Sequence, residues 1–369
     1  VKLIDWGEIL KQELIQLEEQ GIDVASLPLH VRTVSGSDEE LAGKCRELYE
    51  SASSWKMREI YEYVEPSDLV SIERASRFHT ATGLTDREKL FDRIHGAWLG
   101  RAAGCLLGKP VEGWNRKEIH RVLSSYAAYP LRHYFTDRFA PVDLEPWKHE
   151  QYSRCAIENC SGMPRDDDTD YTILALKMVE MFGRGFTTEQ VAQMWLTYLP
   201  PLMTYTAERA AYINLCAGVR IPQTAFVNNP YREWIGAQIR ADHYGYICPG
   251  DPAGAARMAY HDAALSHTSN GIYGAMFIAA MNASAFSQNE VESVIRTGMD
   301  HIPSSSRLYE AVDWVLKVKE EEPDWEKAGD RLLERFAGMH WVHTINNAAI
   351  VVLALLYGER DLEKTITIA

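Results

Sequence analysis

Residues 93–110 read RIHGAWLGRAAGCLLGKP, which sets Gly96, Gly100, Gly104 and Gly108 at four-residue intervals. Residues so spaced share one face of an α-helix, whereas a strand alternates its faces every residue. Each glycine costs a helix up to about 1 kcal/mol relative to alanine. A ridge of four is therefore expected to be compensated, either by very close helix packing or by backbone approaching a ligand. Arg93, Arg101 and Lys109 interrupt any apolar span and exclude a membrane dimer of the GxxxG kind. Close packing in a core is the plainer reading.

Outward from this helix, helical periodicity dominates and no series of alternating strands is visible, so the fold class is all-α. Trp6, Ile9, Leu10, Leu14 and Leu17 form one stripe between Ile4 and Gln20, with Gly21 as the stop. Ser37-Asp38-Glu39-Glu40 starts a second helix with acids in its first turn, and a third is expected around Met57 to Arg77. These make a helical N-terminal extension over residues 1–87, ahead of a main domain over residues 88–369. Trp114 to Pro164 is rich in aromatics and histidine and reads as loop more than helix. Helical pattern returns over Tyr171 to Phe182, Ala255 to Phe286 and Val312 to Phe336.

Composition narrows the function. The 369 residues carry 38 Lys+Arg against 52 Asp+Glu, a net charge of −14, which disfavours nucleic acid as a bulk ligand. Hydrophobic residues at 46% and charged residues at 24% leave ample material for a large core. Gly271 to Phe286 and Ala348 to Tyr357 are too short or too rich in Gly, Ala and Asn to span a bilayer, so no membrane partner is expected. No secretory leader opens the sequence, and the six scattered cysteines form no CxxC pair, which suggests a reducing cytoplasm.

The sharpest chemistry lies in Arg165-Asp166-Asp167-Asp168-Thr169-Asp170-Tyr171-Thr172, directly before the apolar run ILALKMVEMF. Acids at a helix start favour the macrodipole and cap free N–H groups. That explains one or two of them well, but adjacent anions repel, and a hard divalent cation such as Mg²⁺ would relieve the repulsion. On the motif alone a metal cluster and a solvated cap are both open. A second cluster, Ser266-His267-Thr268-Ser269-Asn270-Gly271, precedes a Gly/Ala-rich helix whose N–H groups suit an anion; a satisfied core histidine and a simple turn are the plainer alternatives. No GxSxG elbow, HExxH, zinc-like Cys/His spacing, Walker A or GxGxxG loop is present, leaving carboxylates with a metal as the remaining chemistry.

Taken in order, GAWLGRAAGCLLGKPVEGW (Gly96 to Trp114), RDDDTDYT (Arg165 to Thr172) and SHTSNGIYGAMFIAAMNASAF (Ser266 to Phe286) resemble the ADP-ribosylglycohydrolase family, that of dinitrogenase reductase-activating glycohydrolase and the ADP-ribosylhydrolases. The resemblance runs from about Asp92 onward and leaves the N-terminal region unexplained. It implies a compact all-α domain whose cleft holds two divalent ions, Mg²⁺ or Mn²⁺, and hydrolyses a glycosidic bond at ribose C1 of an ADP-ribosylated protein or small molecule. Carried over by position, Asp166, Asp167 and Asp168 match the first metal-ligand cluster, with Asp167 and Asp168 catalytic. Glu112 matches the acid facing the scissile bond, and His267, flanked by Ser266 and Gly271, matches a histidine touching ADP-ribose. Gly236 and Arg240 fall in the segment Asn229 to Arg240, which matches the region lining the cleft. Arg209, Arg240 and Arg257 are candidates for pyrophosphate contacts, ordinary salt bridges being the alternative.

Three departures stand out. Cys105 occupies a position where many members carry Asp, and the aromatic segment Trp114 to Pro164 is longer than in minimal members. The sequence also stops after VVLALLYGERDLEKTITIA, where the resemblance places a Gly-x-Asp-Thr-Asp type motif with the remaining metal ligands. The expectation is a fragment ending before that cluster; a member with at most one metal site is the alternative. Two further functions stay open, an N-ribosyl hydrolase for a smaller nucleoside-like substrate and a non-catalytic ADP-ribose binding protein.

Overall fold

Side-chain caps start the first helices where the sequence supplies them. Asp5 accepts hydrogen bonds from the N–H groups of Gly7 (3.1 Å) and Glu8 (3.3 Å) and opens the Trp6–Glu19 helix. Gly21, with φ at +83°, ends the chain's run there in the left-handed region that favours glycine. Ser37 and Glu40 form a reciprocal capping box at the start of the Asp38–Glu50 helix. The computed structural model describes residues 4–78, 88–141 and 144–369. Among them are eighteen α-helices and no strand, only two isolated bridges, so the chain is all-α.

The core is organised around the Ser269–Ser284 helix, in which every residue except Ile278 and Asn282 is buried. A helix apolar on all sides has no solvent face and must be enclosed. The helices Pro252–Ala263, Val291–Asp300, Arg307–Glu321 and Thr344–Tyr357 surround it. The apolar run the sequence shows over Ala255 to Phe286 is thus two helices, parted at Ala264 to Thr268. No helix among the described residues is long and apolar enough to cross a membrane, and all six cysteines are free.

Three expectations require correction. Between Met57 and Arg77 only Leu69–Ala75 is helical. Pro66 disfavours helix in its predecessor, and the preceding chain finds partners in the body instead: Val64 N–H donates to Ser305 O (3.2 Å) and the Tyr273 hydroxyl to Pro66 O. Trp114 to Pro164 is in good part helical, with Arg116–Ser125 opened by an Asn115/Glu118 capping box and Pro146–Cys155 opened by its proline. Finally, the glycine ridge on the Leu90–Gly108 helix is not packed closely. A Cβ at Gly96, Gly100 or Gly108 would meet no described atom within 4 Å, and one at Gly104 only Ile366 Cγ2 at 3.7 Å.

The N-terminal helices have their own small core of Leu10, Leu17, Leu41, Cys45 and Leu48. Buried charge fastens them to the body. Glu13 Oε2 lies 2.7 Å from Arg232 Nη1 with both side chains at 0% exposure. Gln16 donates to Glu233 (2.7 Å), and Arg307 bridges Glu233 and Glu65 at 2.8 Å each. The domain boundary expected at residue 87 lies outside the described residues.

Two tests follow from this interface. Glu13→Ala strands a buried guanidinium and is expected to cost about 3–5 kcal/mol, measured by urea melting. Glu19 is pressed by burial and by the Glu233 carboxylate, which push its carboxyl up from an ordinary 4.5 to about 7. His343, 3.6 Å away, gives no compensating charge because burial holds it down near 4. The folded chain therefore holds an extra proton between about pH 4.5 and 7, and its stability declines as pH rises through that window. Glu19→Gln is expected to be more stable than the parent above pH 7 and indistinguishable from it below about pH 4.5, as followed by melts across pH.

Candidate functional site

Asp166, in extended backbone, caps the Asp167–Phe182 helix by accepting the Asp168 N–H at 3.0 Å, and Thr169 Oγ1 donates to Asp166 O at 3.0 Å. Asp167, Asp168 and Asp170 occupy the first turn. Arg165 pairs with Asp170, which removes that acid from the group and leaves the triplet.

Facing the triplet are Arg101, Cys105 and Lys109, spaced i, i+4, i+8 along the Leu90–Gly108 helix and its cap. Arg101 Nη2 donates to Asp168 O (2.9 Å) and to Ile239 O, and its Nε lies 3.6 Å from Asp242 Oδ2. Asp242 is itself held by Thr172 Oγ1 (3.1 Å) and the Tyr246 hydroxyl (3.0 Å). Cys105 Sγ lies 3.6 Å from Asp168 Oδ2. Lys109 Nζ is 2.7 Å from Asp166 Oδ2 and 2.9 Å from Glu112 Oε2, so one ammonium ties the exposed Glu112 to the buried Asp166.

These neighbours divide the three carboxyls. Burial raises Asp166, but the Lys109 ammonium and the Asp168 N–H outweigh it and hold the group below the usual range. Burial and then the charges of Asp166 and Asp168 push Asp167 up to about 7. Asp168 is also raised, chiefly by burial, against the opposing charge of Arg101.

Donor atoms of Cys105, Asp166 and Asp168 all lie within 4.8 Å of one another, a grouping that a divalent ion fits. Asp166 is 5% exposed, and its Oδ2 is paired with the Lys109 ammonium at 2.7 Å. Cys105 joins Asp166 and Asp168 in this grouping; Asp167 is not one of its three members, although its carboxyl interacts with that of Asp166.

The second predicted cluster is brought together, but under the surface. Arg240 is 1% exposed and spends all five N–H donors: on Asp262 Oδ2 (2.5 Å), Glu208 Oε1 (2.5 Å), Gly236 O (2.9 Å), Asp262 O (3.1 Å) and Ser266 Oγ (3.0 Å). No donor is left for a pyrophosphate, so Arg240 is a structural centre, lying against Tyr171 and Trp195. Ser266 Oγ continues the chain to His267 Nδ1 at 2.8 Å, and His267 is buried, its neutral form favoured first by burial and then by Arg240. Gly236 and Gly271 are packing positions: a Cβ would fall 1.9 Å from Glu208 Oε1 at the former and 2.3 Å from Arg232 O at the latter. Arg257 pairs with Glu73 at 2.6 Å, and Arg209 donates to Thr204 O and lies over Tyr205.

A cavity of about 690 Å³ lined by His149, Ser153, Arg154, Asn159, Cys160 and Met163 opens along the aromatic segment, and none of the triplet lines it.

Lys109 and Arg101 lie within the glycine-helix motif but are missed as site residues from sequence. Their signal is the four-residue step they share with Cys105, overshadowed by the glycines at the same spacing.

Residues 86–369 match the ADP-ribosylglycohydrolase family. No curated protein and no solved structure gives a match.

Because Gly236 leaves room for the Glu208 carboxylate, Gly236→Ala is expected to lose at least about 1–3 kcal/mol through overpacking, read from denaturant melts. A variant as stable as the parent overturns the packing role.

Proposed function

The chain belongs to the ADP-ribosylglycohydrolase family, and from this premise we propose that the start of the Asp167–Phe182 helix is the centre of a metal-dependent hydrolase. Its substrate is an ADP-ribosylated protein or small molecule, cut at the glycosidic bond of ribose C1. The observation that carries this reading is the convergence of Cys105, Asp166 and Asp168 on one point, with Glu112 tethered beside them through Lys109.

A bound divalent cation would supply a Lewis acid for ribose hydroxyls and for charge developing at the anomeric centre. Asp166 and Asp168 hold it, and Asp167, outside the donor grouping, offers a carboxyl to the same end of the helix. Glu112 has its side chain half open to solvent, where substrate arrives, and moves the proton, from attacking water or to the leaving group. Lys109 orients it. Ser266 and His267 continue the buried Arg240 chain, and the N–H groups that open the Ser269–Ser284 helix, expected to suit an anion, donate instead to Ser67 Oγ (3.0 Å), Glu233 Oε1 (3.1 Å) and Thr268 O (3.0 Å). The cluster accounts for one ion.

Asp168→Ala is expected to lower kcat/KM on an ADP-ribosylated substrate by at least about 100-fold while leaving the far-ultraviolet circular dichroism unchanged. EDTA should stop the parent enzyme. Undiminished turnover in EDTA overturns the metal-dependent reading, and tight ADP-ribose binding without turnover in the metal-loaded parent replaces the hydrolase with a binding protein.

A further inference from the structure

We propose that Cys105 is a metal ligand, and that with Asp166 and Asp168 it makes a mixed sulfur–oxygen site that selects a thiophilic divalent cation of the Zn²⁺ class over Mg²⁺. The inference rests on the metal-dependent reading above and narrows it.

The geometry comes first. A cation about 2.3 Å from a sulfur and about 2.1 Å from a carboxylate oxygen, in tetrahedral arrangement, sets those two donors about 3.6 Å apart. Cys105 Sγ and Asp168 Oδ2 already stand 3.6 Å apart, and the third donor, on Asp166, completes a grouping within 4.8 Å. The Lys109 ammonium already stands 2.7 Å from the buried Asp166 Oδ2, so this end of the grouping draws positive charge.

Donor chemistry then decides which cation. Mg²⁺ demands six oxygen donors in near-octahedral order and keeps its water, so a thiolate in its shell is unfavourable. Zn²⁺, Co²⁺ and Fe²⁺ accept sulfur readily and tolerate four ligands. A thiol between two carboxylates is an uneconomical choice for a magnesium site, where an oxygen donor would serve.

The binding step balances simply. The S–H bond of Cys105 breaks, its proton leaves to solvent, and the sulfur's electron pair forms the bond to the cation; nothing is oxidised or reduced. Three anionic donors around a dication leave one negative charge, which Lys109 offsets at 2.7 Å from Asp166.

The test uses Co²⁺ as a spectroscopic probe on the full chain after chelator treatment and desalting. Stoichiometric Co²⁺ should produce a near-ultraviolet sulfur-to-cobalt charge-transfer band that equimolar Zn²⁺ abolishes and a hundredfold excess of Mg²⁺ does not. Cys105→Ser and Cys105→Ala should lack the band and bind Zn²⁺ at least about 10-fold more weakly, whereas Cys105→Asp should gain Mg²⁺ binding. Co²⁺ bound without the band, or Zn²⁺ affinity unchanged in a folded serine variant, overturns the role of Cys105 and leaves the metal-dependent hydrolase standing. If the parent binds none of these ions and still hydrolyses substrate in EDTA, both readings fall together.

Discussion

Three adjacent carboxylates gathered at one helix terminus form an electrostatic problem that the surrounding structure is built to contain. The helix dipole favours them only weakly, by a few tenths to about 1 kcal/mol each. Burial, and then the charges of Asp166 and Asp168, push Asp167 up to about 7, while Lys109 holds Asp166 low. Arg101 and Lys109 must therefore face them, and this sets where the Leu90–Gly108 helix lies against the Asp167–Phe182 helix. The positive charge supplied by lysine is partial relief. The cation proposed among Cys105, Asp166 and Asp168 would complete it.

Beneath this end of the molecule, Arg240 does for the core what Lys109 does for the site. With five donors satisfied by Glu208, Asp262, Gly236 and Ser266, it locks the segment after Asn229 to the Pro252–Ala263 helix. Such a buried network is high in stakes, because removing any member leaves an unpaired charge away from water. Tyr171, one turn along from Asp167, lies on that guanidinium. The rigidity of the core thus reaches the first turn of the helix bearing the triplet. A parallel set of buried pairs, Glu13–Arg232 and Glu65–Arg307–Glu233, fastens the N-terminal helices.

Much of this was legible in the chain. Capping at Ser37, the stop at Gly21, the start of a helix beside Asp166 and the buried character of Gly271 to Phe286 follow from local rules, and the structure bears them out. The all-α class and the family follow from the same patterns. Errors arose where long-range pairing overrides local preference. Met57 to Ser67 carries helical texture yet forms no helix, since the Val64 N–H and the Glu65 carboxylate find partners on Ser305 and Arg307. Arg240 reads as a cation ready for phosphate, and nothing near it in sequence announces that Glu208 and Asp262 enclose it.

What the sequence determined by itself is what depends on neighbours a few residues apart: where helices begin and end, which faces are apolar, and that acids crowd one terminus. What only the tertiary structure decided is which side chains meet that crowd. Cys105 and Lys109 lie some sixty residues before the triplet, and only the crossing of two helices brings a thiol to 3.6 Å from Asp168 and an ammonium to 2.7 Å from Asp166. Ligand sets and ion pairs fall off within a few ångströms. They are properties of distance in space, and spacing along the chain carries them only when both partners share one helix.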